Sequence, residues 1–300
     1  MKRILVTGAS GMLGSTLAID LSKSHKVFAS GNSNMNFPVN YKIFDLSNES
    51  YKELIDWSKP ELIIHCAALT NGNFCQNNPF DAFNINGYAT KKFLDATEDH
   101  VKIIYISTDA VFTSSINMAK EIDCTSPDNV YGKSKELGEF FLKNSNRDYL
   151  VLRTTIVGLN TYSNKNGFIE WILNSVKAKE TISLFDDVLF SPISIWDFIS
   201  EINFLVNKNS YKHKIFHLAG GDVISKYDFG KLLIKSLSLD LSYIKKGNIS
   251  KFIDRAKRSN DQSLDCTFYQ KIFNRKLPKI QDTQSEINQI ETDSDEVSPL

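Results

Sequence analysis

The amino-acid sequence predicts an α/β protein, a doubly wound parallel sheet with a smaller mixed lobe after it, on three observations. Through the first half of the 300 residues, short β-branched runs alternate with longer stretches whose apolar residues recur at helical spacing. The short runs are almost continuously apolar, as strands covered by helices on both faces must be. The first run breaks into a glycine-rich turn that opens a helix at once.

In chain order, the predicted strands are 3–7, 26–30, 41–44, 62–66, 102–107 and 149–153, each a short run rich in Ile, Leu, Val, Phe or Tyr. The helices between them are 13–24, 50–57, 81–98 and 131–143, where the apolar period changes from two to about 3.6. After Val157 the rhythm loosens. A helix at 168–177, a strand at 182–185, a helix at 195–206, a strand at 214–218 and a helix at 226–236 describe a second, less regular lobe. The expected division is 1–156 for the large domain, 157–280 for the lobe and 281–300 for a tail. The tail is Gln, Ser, Thr and Asn with six acids and no base. Such a segment buries too little apolar surface to offset its ordering entropy, so it is expected to be disordered.

The formal charge is zero, with 35 Lys plus Arg against 35 Asp plus Glu, which argues against a nucleic-acid partner. That zero is a sum of unlike parts. The acidic tail leaves 35 bases against 29 acids before it, an excess that suits a body receiving small anions. Cys66, Cys75, Cys124 and Cys266 are scattered, with no metal-ligand spacing and no Cys-x-x-Cys pair, and read as thiols in a reducing compartment. The first apolar run is too short for a signal-peptide core and no later run is long enough to span a membrane. The expectation is a cytoplasmic protein with no membrane partner.

The first strand ends in Thr7-Gly8-Ala9-Ser10-Gly11-Met12-Leu13-Gly14, with an amphipathic helix directly behind it. Glycines there permit a tight turn and let backbone N–H groups and the helix N-terminus approach a pyrophosphate. Gly8, Ser10, Gly11, Met12, Leu13 and Gly14 are therefore candidate dinucleotide contacts, and residues 1–156 a Rossmann-type domain. Asp45-Leu46 closes the third strand, where a carboxylate and an apolar side chain can meet an adenine; a turn residue before Ser47 is the plainer reading of Asp45. The second strand ends in Ser30-Gly31-Asn32-Ser33, without the acid that holds a ribose 2′-hydroxyl. Asn32 joins the cofactor residues, and NADPH is favoured, with NADH as the alternative.

Tyr131 and Lys135 stand four apart on one predicted helix, so their side chains share a face. An ammonium beside a phenol stabilises the phenolate and brings its proton transfer toward neutral pH, which suits Tyr131 to general acid work. The fifth strand ends in Ser107-Thr108-Asp109, placing hydroxyls at the C-terminal edge of the sheet, where open α/β folds bind ligands. A glycine loop, strand-end hydroxyls and a Tyr-Lys pair, in this order, are hard to explain as packing.

With these motifs the chain resembles the extended short-chain dehydrogenase/reductases, and within them the dTDP-4-dehydrorhamnose reductase group. Further matching stretches are His65-Cys66-Ala67-Ala68-Leu69-Thr70, Ala110-Val111-Phe112, Asn129-Val130-Tyr131-Gly132-Lys133-Ser134-Lys135, Leu152-Arg153-Thr154, Ser191-Pro192, Phe216-His217, Arg258 and Leu264-Asp265. The resemblance covers residues 1 to about 278 and implies a fold whose two lobes interleave some segments. It implies Thr108, Tyr131 and Lys135 as the catalytic triad, with Tyr131 protonating the sugar C4 oxygen as hydride arrives from NADPH, and Lys135 also on the nicotinamide ribose. Ala67, Ala68, Thr70, Asn86 and Ser107 are implied at the cofactor; Thr70, Asp109, Ala110, Ile156 and Arg258 at the nucleotide-sugar substrate, with Arg258 facing its diphosphate.

The chain departs from this pattern in three places. Ala110 stands where relatives carry Tyr, and Ile156 where they carry Trp, which removes aromatic surface beside the sugar. Ser15 and Thr16 occupy the neighbourhood where some relatives pair through a metal held by an acid, so no metal is inferred, and a homodimer is left open. The implied function is reduction of a dTDP-linked 4-keto-6-deoxy sugar for surface polysaccharide. A dehydratase needs a second acid where Ala110 stands. A C4 epimerase needs only the triad and retained NAD, and a non-catalytic NADP-binding regulatory subunit needs no triad. Remaining features have plainer readings: His65 as a core residue, Trp57, Trp171 and Trp196 as packing anchors, Asp186-Asp187 as loop acids, and Asn48-Glu49-Ser50 as a chance glycosylation match.

Overall fold

A computed structural model describes residues 1–47, 50–160, 166–211, 214–251 and 256–283, with residues 285 and 287. The large domain begins β1 (Arg3–Thr7), α1 (Met12–Ser22), β2 (Lys26–Gly31), β3 (Asn40–Ile43), α2 (Tyr51–Ser58) and β4 (Leu62–His65). Two short helices, α3 (Gly72–Asn77) and α4 (Pro79–Ala82), lead through a π-helical turn at Phe83–Tyr88 into α5 (Ala89–Ala96). Then come β5 (Lys102–Thr108), α6 (Val130–Lys143) and β6 (Tyr149–Thr154).

The six strands expected from the sequence form six of the seven strands of one sheet, every pair parallel. Alternation along each strand sorts the side chains between two layers. Ile4, Val6, Ile64, Ile104 and Leu152 face α1, while Leu5, Ile63, Ile103 and Val151 face α2 and α5. Burial on both faces is why these strands read as unbroken apolar runs.

The single helix expected at 81–98 is three pieces. The π-helical turn opens the Asn86 carbonyl to the Tyr105 hydroxyl at 2.8 Å, which also reaches the Lys135 carbonyl at 3.2 Å. The irregular turn is thus tied to both β5 and α6, a tertiary bond that periodicity does not announce.

The second half continues with β7 (Ile156–Val157), α7 (Phe168–Lys177), β8 (Ile182–Phe185), β9 (Leu189–Phe190), β10 (Ile193–Ser194), α8 (Ile195–Val206) and β11 (Ile215–His217). It ends with β12 (Ile224–Ser225), α9 (Lys226–Ser236), β13 (Ile244–Gly247), β14 (Asp261–Gln262) and α10 (Thr267–Phe273). The lobe has its own core of Ile172, Leu184, Phe190, Phe229 and Leu233, with a parallel β8–β13 pair and a three-stranded β12-β9-β14 sheet.

The chain does not stay in that lobe. β11 is the seventh strand of the large sheet, beside β6 in the order β11-β6-β5-β4-β1-β2-β3, and Phe198 and Ile202 of α8 join the core layer under α1. A strand of three residues carries no sign of which sheet will take it. The beginning of the acidic tail also differs from expectation. Residues 280–283, 285 and 287 are helical, and Ile280, Thr283 and Ile287 are buried, with Ile287 in the lobe's core. Isolated aliphatics in a polar segment dock on a partner surface already formed, so disorder does not begin at Gln281; positions 288–300 and the Asn48-Glu49 match lie outside the described residues. Among the described residues, no helix is long and apolar enough to cross a membrane.

Candidate active site

The sheet order reverses at β1, with β2 on one side and β4 on the other, so the loops after β1 and β4 face each other across a crevice at the sheet's C-terminal edge. The glycine loop builds one wall. Gly8 has φ of 73°, and a Cβ there would lie 2.6 Å from the Ala67 backbone. A Cβ on Gly14 would lie 2.3 Å from the Gly8 oxygen, whereas on Gly11 the nearest atom is that same oxygen at 3.3 Å. Gly8 and Gly14 therefore close the turn, and Gly11 keeps its outer side open. Gly11 also caps α1, whose first turn carries no acid, so its N–H groups are set to receive an anion.

A cleft of about 610 Å³ runs from Asp45 and Leu46, past Asn32 and the loop from Ser10 to Gly14, to Ala67, Ala68, Thr70, Ser107, Thr108, Asp109, Tyr131, Lys135 and Ile156. Gly8 lines it as well. A second cavity of about 820 Å³ adjoins it, lined by Ala110, Phe168, Trp171, Phe185, Lys226 and Arg258 among others. Thr70, Asp109 and Tyr131 line both, which makes them the junction.

Asn86 is the one expected cofactor residue outside the cleft lining. It is fully buried. Its Oδ1 accepts from the Leu69 N–H at 2.7 Å, and its Nδ2 donates to the Leu69 carbonyl at 3.0 Å and to Ser134 Oγ at 2.9 Å. It holds the Ala67–Thr70 wall in place from behind. Ser107 lines the cleft, but its hydroxyl is donated to Glu139 Oε1 at 2.7 Å. Asp45 takes both of its readings, accepting from the Ser47 N–H at 2.9 Å as a turn residue while facing the cleft. Ser10 Oγ donates to Asn32 Oδ1 at 3.0 Å, linking the glycine loop to the end of β2.

At the junction, the Thr108 hydroxyl donates to Asp109 Oδ1 at 2.8 Å. The Thr155 hydroxyl donates to the other Asp109 oxygen. Burial pushes the Asp109 carboxyl up, opposed by the two hydroxyls and by the charge of Lys226. The Tyr131 phenol is not lowered, as the sequence suggested. Burial raises it, the Thr108 hydroxyl opposes this, and the charge of Asp109 adds to the rise. The four-residue spacing showed the ammonium but not the carboxylate or the dry surroundings. Lys135 is 2% exposed, with Nζ 4.0 Å from the Tyr105 ring centroid, and burial brings its ammonium down to about 7 against the pull of Glu139.

Beneath Thr108, Tyr131 and Lys135 lies an ion pair that sequence reasoning missed. Glu139 is fully buried and takes Arg153 Nε at 2.9 Å and Nη2 at 2.7 Å. Tyr131, Lys135 and Glu139 stand at successive four-residue steps of α6, and that spacing was the available signal. Trp171, expected as a packing anchor, is 41% exposed and lines the second cavity. With Phe168 and Phe185 it supplies aromatic surface of the kind absent at Ala110 and Ile156. Trp57 packs edge-on to Phe28 and Trp196 is half-buried between two cores, as anchors. His65 is a core residue, 1% exposed, its Nδ1 2.7 Å from the Thr7 hydroxyl, and burial drives it down to about 3. Asp187 accepts the Ile249 N–H at 3.0 Å and Asp186 pairs with Lys246 at 3.4 Å, so both serve the lobe's loops.

A doubly wound α/β fold with a glycine loop at its switch point and a Tyr-Lys pair at its C-terminal edge defines an extended short-chain dehydrogenase/reductase. The chain belongs to the RmlD substrate binding domain family, whose model matches residues 1–291. It is 28% identical over 270 residues to a probable low-salt glycan biosynthesis reductase of Haloferax volcanii, covering 87% of this chain and 89% of that one. To the dTDP-4-dehydrorhamnose reductase of Aggregatibacter actinomycetemcomitans it is 26% identical, covering 91% and 94%. To methionine adenosyltransferase 2 subunit beta of Rattus norvegicus it is also 26% identical, covering 89% and 81%. Among solved structures, that of a hypothetical dTDP-4-dehydrorhamnose reductase from Sulfolobus tokodaii matches with a TM-score of 0.81 at 31% identity, covering 92% and 97%.

Proposed function

We propose that the chain is an NAD(P)H-dependent reductase of the C4 keto group of a nucleotide-activated 4-keto-6-deoxy sugar, dTDP-linked, serving deoxysugar synthesis for surface polysaccharide. The observation that carries this reading is the position of Tyr131 at the junction of the two cavities, which Thr70 and Asp109 also line. A dinucleotide in one cavity and a sugar nucleotide in the other would meet at that phenol.

The residues present fit the dinucleotide. The turn closed by Gly8 and Gly14 leaves room at Gly11 that a side chain would fill, and the open N-terminus of α1 suits the pyrophosphate. In this reading Asp45 and Leu46 hold the adenine, Asn32 the adenosine ribose, Ala67, Ala68 and Thr70 the middle, and Lys135 the nicotinamide ribose. When bound, NADPH supplies the hydride, with NADH as the alternative. The protein's own part is acid catalysis: Tyr131 donates its proton to the C4 oxygen as negative charge develops there. A phenol held high by burial stays protonated until an alkoxide, a stronger base, stands before it. Arg258 holds the diphosphate through a planar guanidinium.

The deciding assay incubates the protein with dTDP-4-keto-6-deoxy-glucose, with and without a C3/C5 epimerase, and follows NADPH and NADH oxidation and the sugar formed. No oxidation under any condition refutes the reading. The similarity to methionine adenosyltransferase 2 subunit beta favours a second one, a regulatory subunit. Tyr131→Phe separates them, since a reductase loses turnover and keeps NADPH binding. A homodimer is part of the proposal, supported by the exposed rings of Tyr88 and Phe140 beside Phe141, and light scattering tests it.

A further inference from the structure

Lys226 opens α9, donates its backbone N–H to the Val188 carbonyl at 3.0 Å and lines the second cavity. Its Nζ lies 3.3 Å from the Phe190 centroid and 5.0 Å from that of Phe168, so two aromatic faces carry the ammonium. An ammonium has three N–H donors, and among the described residues this one makes no hydrogen bond and no ion pair. Its position is costly in two ways. A cation is disfavoured in the first turn of a helix, where the macrodipole is positive, and Arg258, a second cation, lines the same cavity.

The carboxylates of the surrounding elements are engaged with other groups. Asp109 takes a hydroxyl on each oxygen, from Thr108 at 2.8 Å and from Thr155. On α9 itself, Asp228 accepts the Ser225 hydroxyl at 2.8 Å. Glu170 of α7 accepts the Gly167 N–H at 2.9 Å, Asp187 before β9 the Ile249 N–H at 3.0 Å, and Asp261 of β14 the Ser263 N–H at 2.8 Å. Burial brings the Lys226 ammonium down to about 7; the charge of Asp109 opposes that fall and the charge of Arg258 adds to it.

We propose that Lys226 binds the diphosphate of the nucleotide sugar together with Arg258, the two cations of the cavity matching the two charges of that linkage. The ligand class rests on the sugar-nucleotide reading above; the part played by Lys226 rests on its place in the cavity. A shared anion turns the repulsion between two like charges into attraction from both sides. The planar guanidinium meets phosphate oxygens as a fork, and the ammonium meets them as a point charge. Because Phe190 and Phe168 already hold the Lys226 stem, little side-chain freedom is left to lose on binding. Phosphate oxygens also favour the charged amine, so binding draws a proton onto Lys226. Affinity is therefore strongest below about 7 and weakens as pH rises above that value.

The probe is dTDP-glucose, whose doubly esterified diphosphate keeps its charge throughout neutral pH and whose sugar has no keto group to reduce. Isothermal titration of the full chain at about pH 7, in buffers of different ionisation enthalpy, reads affinity and proton uptake together. The wild type is expected to take up about half a proton per sugar nucleotide, as a group at about 7 must when it becomes fully charged. Lys226→Gln is expected to lose about 10-fold to 100-fold in affinity, and the uptake with it. Lys226→Arg, always charged, is expected to keep its affinity within about threefold and to lose the uptake. NADPH affinity, set in the cleft, should not move in either variant; where it moves in Lys226→Gln, the comparison of Lys226→Arg with wild type decides. Uptake that persists without the amine, affinity unchanged in Lys226→Gln, or an equal loss in Lys226→Arg overturns the assignment, as does a wild type that fails to bind the probe. A wild type that binds as expected but oxidises no NADPH with the keto sugar nucleotide refutes the reductase reading alone.

Discussion

The two cavities that share Tyr131 are built by different means. The cleft is a product of backbone: glycines at 8, 11 and 14, a helix N-terminus, and short loops directly after β1, β2, β4 and β5. The second cavity is a product of side chains, gathered from α7, β8, α9 and from Ile249, Ala256, Arg258 and Gln262. Its charges are the cations Lys226 and Arg258 against the buried Asp109, all of them set by tertiary packing. A surface made of backbone admits any ligand with the right anion and shape, whereas one made of side chains can be changed residue by residue. On the proposed reading, the difference assigns the common chemistry to the cleft and the choice of sugar nucleotide to the cavity.

The support under the cleft is the first place to break that contrast. Removing Glu139 leaves Arg153, 1% exposed, without its bidentate partner. Glu139→Ala is expected to cost about 3–5 kcal/mol in urea unfolding, the range for breaking a buried pair from one side. The pH dependence has a definite sign. Burial works to raise the Glu139 carboxyl, but Arg153, Lys143 and the Ser107 hydroxyl outweigh it and hold the group below its ordinary 4.5. Its stabilisation is therefore complete above that pH and is lost as pH falls through the lower, folded value. The stability gap between wild type and Glu139→Gln should narrow in acid; a gap that widens below pH 4.5 contradicts the assignment.

The glycines come next. Gly14→Ala drives a Cβ to 2.3 Å from backbone, and Gly8→Ala adds a positive φ to a 2.6 Å approach, so each is expected to cost about 1–3 kcal/mol and to weaken NADPH binding. Gly11→Ala puts a Cβ 3.3 Å from the Gly8 oxygen, a tight contact that a shift of a few tenths of an ångström relieves, and should be milder for stability. Equal losses at all three positions would mean that the turn is not held as described. Asn86→Ala, which removes three hydrogen bonds behind the Leu69 loop without touching the cleft, is expected to cost about 1–2 kcal/mol and to weaken cofactor binding by at most the corresponding factor of roughly 5 to 30. Calorimetric unfolding and fluorescence titration with NADPH read both quantities.

These expectations also show how far the sequence is legible. The parallel strands were readable because burial on two faces leaves an apolar run, and the glycine loop because no other residue type fits its geometry. The resemblance implies Asn86 at the cofactor, but matching a motif does not show which side of the loop a side chain occupies, and Asn86 holds the loop from behind. Ser107 and Glu139 are joined across 32 positions, a pairing visible only once β5 and α6 are packed. β11 is three residues long and belongs to the large sheet, which local propensity cannot tell. The buried Ile280, Thr283 and Ile287 show the same limit at the chain's polar end.

Trp171 offers the smallest and most selective test. It lies on α7 with its ring 6.3 Å from that of Phe168, 41% exposed and lining the second cavity only. Its truncation to Ala leaves no sealed void, so the cost in unfolding should stay within about 0.5 kcal/mol. The same change removes an aromatic face worth about 1 kcal/mol to a ring or sugar laid against it, or roughly a fivefold rise in KM for the sugar nucleotide. NADPH affinity, set in the other cavity, should not move. A change in NADPH affinity of the same size would show that the two cavities are not independent. An unchanged KM would show that the substrate does not use this wall, and would shift the choice of sugar nucleotide to Phe168, Phe185 and the charged residues opposite.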